Sequence, residues 1–127
     1  MLNIHIEEGR PLTKTVALEG RLDTDTVGEF DKELEFLLGT AVTAVRILVF
    51  DMAKLDFISS AGLGSLFRVQ KEMKARGGKT LMVHLQPQVK KVFEIVKTVD
   101  LETVFRDLKE LDDYLDAIQS KPNDEGQ

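Results

Sequence analysis

Cysteine and tryptophan are absent from this 127-residue chain; histidine occurs twice, tyrosine once and proline three times. Without cysteine there is neither a disulfide framework nor a thiolate metal site, and nothing ties the protein to an oxidising compartment. His5 and His84 stand far apart, each in an apolar, strand-like stretch, which argues against a metal centre built on them. No uninterrupted apolar run approaches the roughly 20 residues of a membrane-spanning helix. Positive charge is not in excess. The 17 Lys and Arg stand against 22 Asp and Glu, a net charge of −5 with a pI near 5.1, whereas a nucleic-acid surface needs a basic patch. The opening Met-Leu-Asn-Ile-His-Ile-Glu-Glu is too acidic, and too short in its apolar part, for a secretory signal. These absences predict a soluble cytoplasmic protein with no nucleic-acid partner, no membrane partner, no metal and no cofactor.

What is present is enough for one domain with a real core, since 43% of the residues are apolar. Leu2, Ile4 and Ile6 alternate with polar residues, the period-2 mark of a strand. Gly9-Arg10-Pro11 predicts a turn, and Thr13 to Glu19 a second strand, together a hairpin. Asp23 or Thr24 can cap the next helix, whose apolar face is Val27, Phe30, Leu34, Leu37 and Leu38, with Gly39 and Thr40 as the stop. Ala44 to Asp51 is almost continuously apolar and predicts a central strand covered on both faces, followed by a short connection. Leu63, Leu66, Phe67 and Met73 predict a helix ended by Ala75-Arg76-Gly77-Gly78. Thr80 to Leu85 predicts a strand and Pro87 a helix start, with Val89, Val92, Phe93 and Val96 as the apolar stripe. Thr103 to Phe105 reads as a short strand. A last helix carries Leu108, Leu111, Leu115 and Ile118 and packs on the sheet or docks elsewhere. Strands alternating with helices make this an α/β single domain. Its sheet is mixed and mostly parallel with an antiparallel N-terminal strand, and about four helices accompany it.

The most informative stretch is Phe57-Ile58-Ser59-Ser60-Ala61-Gly62-Leu63-Gly64. Two hydroxyls stand where an apolar strand region gives way to a helix, beyond the carboxyl end of the best central strand, where functional groups gather in open α/β sheets. A serine there can cap the helix, and a phosphoserine there would face the positive end of the helix dipole. Each glycine costs a helix roughly 1 kcal/mol relative to Ala. Two in one turn imply a close approach, either of the helix start to the sheet or of a partner to the backbone. The segment lacks the Gly-Lys-Ser/Thr ending of a nucleotide-binding loop.

This run resembles the signature loop of STAS domains, specifically of the bacterial anti-sigma factor antagonists. Gly20-Arg21-Leu22-Asp23 is similar to a second signature of that family, a Gly-x-Leu-Asp turn after the second strand, and the helix start Pro87-Gln-Val-Lys-Lys-Val-Phe agrees as well. The resemblance covers residues 2 to 118 and implies a STAS domain at 1–118 followed by a polar, flexible tail at 119–127. It further implies a phosphorylation-controlled partner switch. The unmodified protein binds an anti-sigma factor that is a serine kinase with a histidine-kinase-like ATPase fold, and so frees a sigma factor. Phosphorylation by that partner releases the protein, and a PPM-type serine phosphatase resets it. Laid on this chain, the pattern puts the acceptor at Ser60. Ser59 takes a place often held by Asp and is the minor alternative acceptor; Ala61 takes a place often held by Ser or Thr. Arg21, Asp23, Ser59, Ala61, Gly62, Leu63 and Arg68 are the implied partner-binding residues. The switch requires the Ser60 hydroxyl to be reachable from solvent. A charge at the helix mouth is then expected to spoil docking while leaving the fold nearly unchanged.

The remaining candidates point away from catalysis. Asp51, at a strand end, brings to mind a receiver-type phosphoacceptor, but the early acidic pair for Mg²⁺ is missing, and a strand end or turn cap is expected instead. Arg68, Lys71, Lys74 and Arg76 read as a solvated helix face. No Ser-His-Asp order and no carboxylate pair beside a cleft suggests an enzyme. The competing reading is a STAS scaffold subunit of a signalling assembly or a transport ATPase complex, without phosphorylation. The cytoplasmic end of an anion transporter is not expected, because no membrane segment accompanies the domain.

Overall fold

In the computed structural model, which describes residues 1–39, 45–98, 110, 113, 114 and 117, β1 (Leu2–Glu8) pairs antiparallel with β2 (Thr13–Leu22). The turn between them places Leu12 at φ 65° and closes with the Thr13 N–H donating to the Arg10 carbonyl at 3.0 Å. The chain then forms α1 (Val27–Gly39), β3 (Ile47–Ile58), α2 (Ser60–Ala75), β4 (Lys79–Val83) and α3 (Pro87–Thr98). β3 lies parallel to both β2 and β4, so the sheet order is β1-β2-β3-β4. Parallel neighbours need a crossover, and α1 and α2 supply the two. The expected mixed sheet is present, with three helices described along their length and helical residues also at 110, 113, 114 and 117. The strand expected at 103–105, most of the last helix and the tail at 119–127 lie outside the described residues.

The core is continuous from sheet to helices. Val16, Leu18 and Leu22 of β2 and Leu48, Phe50, Met52, Leu55 and Ile58 of β3 meet Phe30 and Leu34 of α1 and Leu63, Leu66 and Met73 of α2. The rings of Phe30 and Phe50 pack with centroids 5.9 Å apart. α2 ends as its sequence predicts. The Gly78 N–H reaches the Met73 carbonyl at 2.8 Å and the Gly77 N–H the Lys74 carbonyl at 3.0 Å, with Gly77 at φ 79°. This is a Schellman close.

β3 corrects the sequence reading. It does not stop at Asp51 but runs on to Ile58, and β2 runs on past Glu19 to Leu22. Two irregularities explain the miss. Ala17 pairs with Asp51 while Glu19 pairs with Lys54, and Gly20 pairs with Leu55 while Arg21 pairs with Phe57, so β3 carries one extra residue at each step. Each bulge shifts the inside–outside phase, which leaves Ala53, Lys54 and Asp56 exposed, with Met52, Leu55 and Ile58 inside. β4 stops at Val83 rather than Leu85, because His84 turns out of the strand at φ 61°.

Candidate functional site

The extended ends of β2 and β3 bring two loops together. The Ser59 N–H donates to the Leu22 carbonyl at 3.0 Å, joining the Gly20–Asp23 turn to the start of α2. Ser59 is the N-cap of that helix. Its backbone is extended (φ −97°, ψ 176°), and its Oγ accepts the Gly62 N–H at 3.3 Å. Its carbonyl takes the Leu63 N–H at 2.9 Å. Capping is thus realised at Ser59, and Ser60 is the first residue of α2.

Ser60 is not open to solvent, contrary to expectation. It is 4% exposed and Ser59 is 3% exposed. Gly62 and Leu63 are buried beside them, and Ala61 is half-buried. The two glycines have different causes. A Cβ on Gly62 would lie 2.7 Å from the Leu22 carbonyl oxygen and 2.8 Å from the Leu22 Cγ, so Gly62 lets α2 sit directly on the end of β2. A Cβ on Gly64 would meet nothing within 4 Å, so packing within the domain does not require that glycine.

Gly20 stands at φ 107°, and a Cβ there would overlap the Met1 carbonyl oxygen. Beyond it, the Arg21 guanidinium stacks over the Phe57 ring at 4.0 Å and pairs through Nε with Asp23 Oδ2 at 3.2 Å. Asp23 Oδ1 accepts the N–H groups of Asp25 at 3.0 Å and Thr26 at 3.2 Å. The Thr26 hydroxyl donates to the Arg21 carbonyl at 2.9 Å. Asp23, not Thr24, therefore organises the turn into α1.

Burial alone would raise the Asp23 carboxyl, but hydrogen bonds from Arg21, from the Asp25 and Thr26 backbone and from the Thr26 hydroxyl hold it below its ordinary 3.8. A depressed folded-state value stabilises the fold above the unfolded value, and that contribution is lost as pH falls through the folded one. Asp23→Asn is therefore expected to lower stability by up to about 1 kcal/mol near pH 7. The gap to wild type should close in acid, and urea midpoints near pH 7 and pH 3 check this.

Arg68 lies further along α2. It is 68% exposed, pairs with Asp31 of α1 at 3.2 Å and donates to the Ser65 Oγ at 2.9 Å. Arg76 pairs with Glu72 at 3.0 Å and donates to the Leu38 carbonyl at 3.2 Å. The expected solvated face is thus in part a tie between α2 and α1.

Asp51 neither ends a strand nor stands free. It sits inside β3 at the first bulge, where Oδ1 accepts the Ala53 N–H at 3.1 Å and lies 3.1 Å from His84 Nδ1. The Ala53 N–H holds its carboxyl below the ordinary value, with burial opposing, and His84 and Lys54 add to the lowering. Among the described residues, no three His, Asp or Glu side chains gather as a metal site, and no helix is long and apolar enough to cross a membrane.

Gln86 was not singled out by the sequence. Past Val83 the β4 strand no longer covers β3, and Gln86 takes its place: Nε2 donates to the Ala53 carbonyl at 2.9 Å and lies 3.3 Å from Asp56 Oδ1. A glutamine after a strand carries no motif, so only the coordinates could find it. Gln86→Ala leaves that carbonyl without its side-chain donor and is expected to cost about 1 kcal/mol, read by urea denaturation.

A family model for the STAS domain matches residues 6–111. BtrV of Bordetella bronchiseptica, provisionally named an anti-sigma factor antagonist, is 42% identical over 50 residues, which cover 39% of this chain and 43% of that protein. The match thus spans less than half of that relative's length. The anti-sigma factor antagonist SpoIIAA in its unphosphorylated form superposes with a TM-score of 0.67 at 22% identity, covering 82% of this chain and 95% of that one. Its phosphorylated form, from Bacillus, gives 0.60 at 22% identity, covering 82% and 98%. The murine anion transporter Slc26a9 matches at a TM-score of 0.60 and 15% identity over 76% of this chain and 15% of its own. At such identities these structures establish the fold alone. One family model nevertheless accounts for most of the chain, including both loops of the junction, and the chain belongs to the STAS domain family.

Proposed function

We propose that the protein is an anti-sigma factor antagonist: a binding module without catalysis of its own, controlled by phosphorylation of Ser60. The unphosphorylated form binds an anti-sigma factor that is also a serine kinase with a histidine-kinase-like ATPase fold, and so frees a sigma factor. Phosphorylation releases it, and a PPM-type phosphatase restores it. The docking surface is the rim on which Arg21, Asp23 and Ala61 are accessible, with Ser59, Gly62 and Leu63 buried beneath it and Arg68 at its margin. The supporting observation is the junction itself. Ser60 opens a capped helix whose preceding residue is hydrogen-bonded to the Gly20–Asp23 turn at 3.0 Å. A relative carrying the antagonist name, matched over 50 residues, agrees with it.

Burial of Ser60 favours a second reading, a STAS scaffold that docks without phosphorylation. Affinity purification from cells, followed by incubation with the recovered partner and ATP and phosphosite mass spectrometry, separates the two. A kinase-fold partner and phosphate on Ser60 support the switch; a transport ATPase partner and an unmodified Ser60 support the scaffold. Phosphate on Ser59 alone would move the acceptor by one residue.

A further inference from the structure

β1 is an outer strand of the sheet, and half of its backbone groups point away from β2. Which half follows from one hydrogen bond. The Arg21 N–H donates to the Met1 carbonyl at 3.0 Å, and these two residues stand opposite each other in the register that pairs Leu2 with Gly20. Hydrogen-bonded and non-hydrogen-bonded pairs alternate along an antiparallel ladder, and this ladder runs without a bulge from Leu2 to Glu8. Asn3, His5 and Glu7 therefore direct their N–H and C=O groups to β2, while those of Leu2, Ile4, Ile6 and Glu8 face outward. Among the described residues, no strand takes them up.

The devices that usually blunt such an edge are missing. β1 holds no proline, lysine, arginine or bulge. Its two acidic residues stand at one end, and Glu8 is already paired with Lys14 at 2.9 Å. Asn3, His5, Ile6, Glu7 and Glu8 are all exposed, so the edge is accessible. The side chains alternate as the backbone does. Leu2 lies in the core and Ile4 packs against it, whereas Ile6, on the same face, is 36% exposed.

We propose that β1 pairs with the β1 strand of a second copy of this chain, antiparallel, about a two-fold axis through His5. The strand is complementary to itself in that register. Outward-facing backbone groups must meet each other, so the axis can pass through Ile4, His5 or Ile6 and through no neighbouring peptide. Only the His5 axis pairs the whole strand. It sets Leu2 against Glu8 and Ile4 against Ile6 as hydrogen-bonded pairs, twice each by symmetry, with Asn3 against Glu7 between them. No like charges then stand opposite each other across the pairs formed by Glu7 and Glu8, which would be destabilising. Ile6 is covered by Ile4 of the second copy, which extends the core across the axis. Main-chain hydrogen bonds give such strand addition its affinity, and a two-fold contact closes the assembly at a dimer. The two strands run in opposite directions, so the two Gly20–Asp23 junctions lie at opposite ends of the shared sheet, and each copy keeps its own docking rim. The inference does not depend on the reading of Ser60 as a phosphoacceptor.

Two arms test it. Sedimentation equilibrium of the full chain at about 100 μM is expected to show a dimer. Ile6→Lys, at an exposed position, is expected to raise the dissociation constant at least tenfold. Leu81→Lys, on β4 and 47% exposed, is expected to leave it unchanged. A monomer at this concentration, a dimer that Ile6→Lys does not weaken, or equal weakening by Leu81→Lys overturns the inference. The second arm reads the register and decides alone if Ile6→Lys does not fold. The chain has no cysteine, so His5→Cys and Glu7→Cys each introduce a single thiol at an exposed position of the same strand face. About the His5 axis the two copies of residue 5 form a non-hydrogen-bonded pair with Cα atoms about 4.5 Å apart, within the span of a disulfide. The two copies of residue 7 are about 13 Å apart along the strands. Disulfide-linked dimer is therefore expected at least tenfold faster from His5→Cys than from Glu7→Cys under mild oxidation. Equal rates, or a faster Glu7→Cys, overturn the inference and leave the Ser60 switch untouched.

Discussion

Ser60→Asp is expected to bind the anti-sigma partner at least a hundredfold more weakly than wild type, while Ser60→Ala binds normally and cannot be phosphorylated. A hundredfold corresponds to about 2.7 kcal/mol, and two separate effects can each supply that much. A carboxylate at a position 4% exposed must either be desolvated or displace the turn that covers it. If it is displaced, the carboxylate stands in a docking rim that already carries the Asp23 carboxylate. Ser60→Asn has nearly the same shape without the charge, so its affinity separates the two effects. Titration calorimetry with the purified partner is the measurement. Equal affinities for Ser60→Asp and wild type would sink the switch, and the scaffold reading would take its place.

The sequence was most legible where one periodicity held over a whole element. Phe30, Leu34 and Leu38 lie on one face of α1 and all three are buried, as their spacing predicts. Gly77 and Gly78 close α2 where the run of cations and glycines pointed. Legibility failed where periodicity changes phase. Two extra residues in β3 put Lys54 and Asp56 where a regular strand would have apolar side chains, so a strand end was read as a connection. The cost of that misreading was positional. It is the added length of β3, paired with the end of β2, that carries the Ser59 loop against the Gly20–Asp23 turn.

The identities of the site residues were legible, but their burial was not. Ser59 as a cap follows from residue type and from the helix that follows it. Nothing local says that Ser60 is covered, because its cover depends on how closely α2 seats on β2, and that is set by a non-local contact between Gly62 and Leu22. The same applies to Arg21. Its stack on Phe57 at 4.0 Å arises from strand register across 36 positions of sequence. Arg68 was readable as an exposed cation, whereas its pairing with Asp31 depends on how α1 and α2 cross.

Gly62→Ala is the sharpest test of that seating. One added carbon would stand 2.7 Å from the Leu22 carbonyl oxygen, 2.8 Å from the Leu22 Cγ and 3.0 Å from the Ile58 Cγ1. The carbonyl cannot give way freely, because it accepts the Ser59 N–H at 3.0 Å and belongs to the end of β2. The helix start must lift instead, breaking the cap and uncovering Leu63. Overpacking of this kind costs about 3 kcal/mol, far more than the roughly 1 kcal/mol that Ala gains over Gly in a helix. Gly64→Ala, two residues along and with nothing within 4 Å of the added carbon, should show only that gain. The two variants are the same chemical change in the same helix, yet their melting temperatures are expected to move in opposite directions and to differ by roughly 10 °C or more. If Gly62→Ala melts with wild type, α2 does not rest on β2 as described, and the cover over Ser60 goes with it.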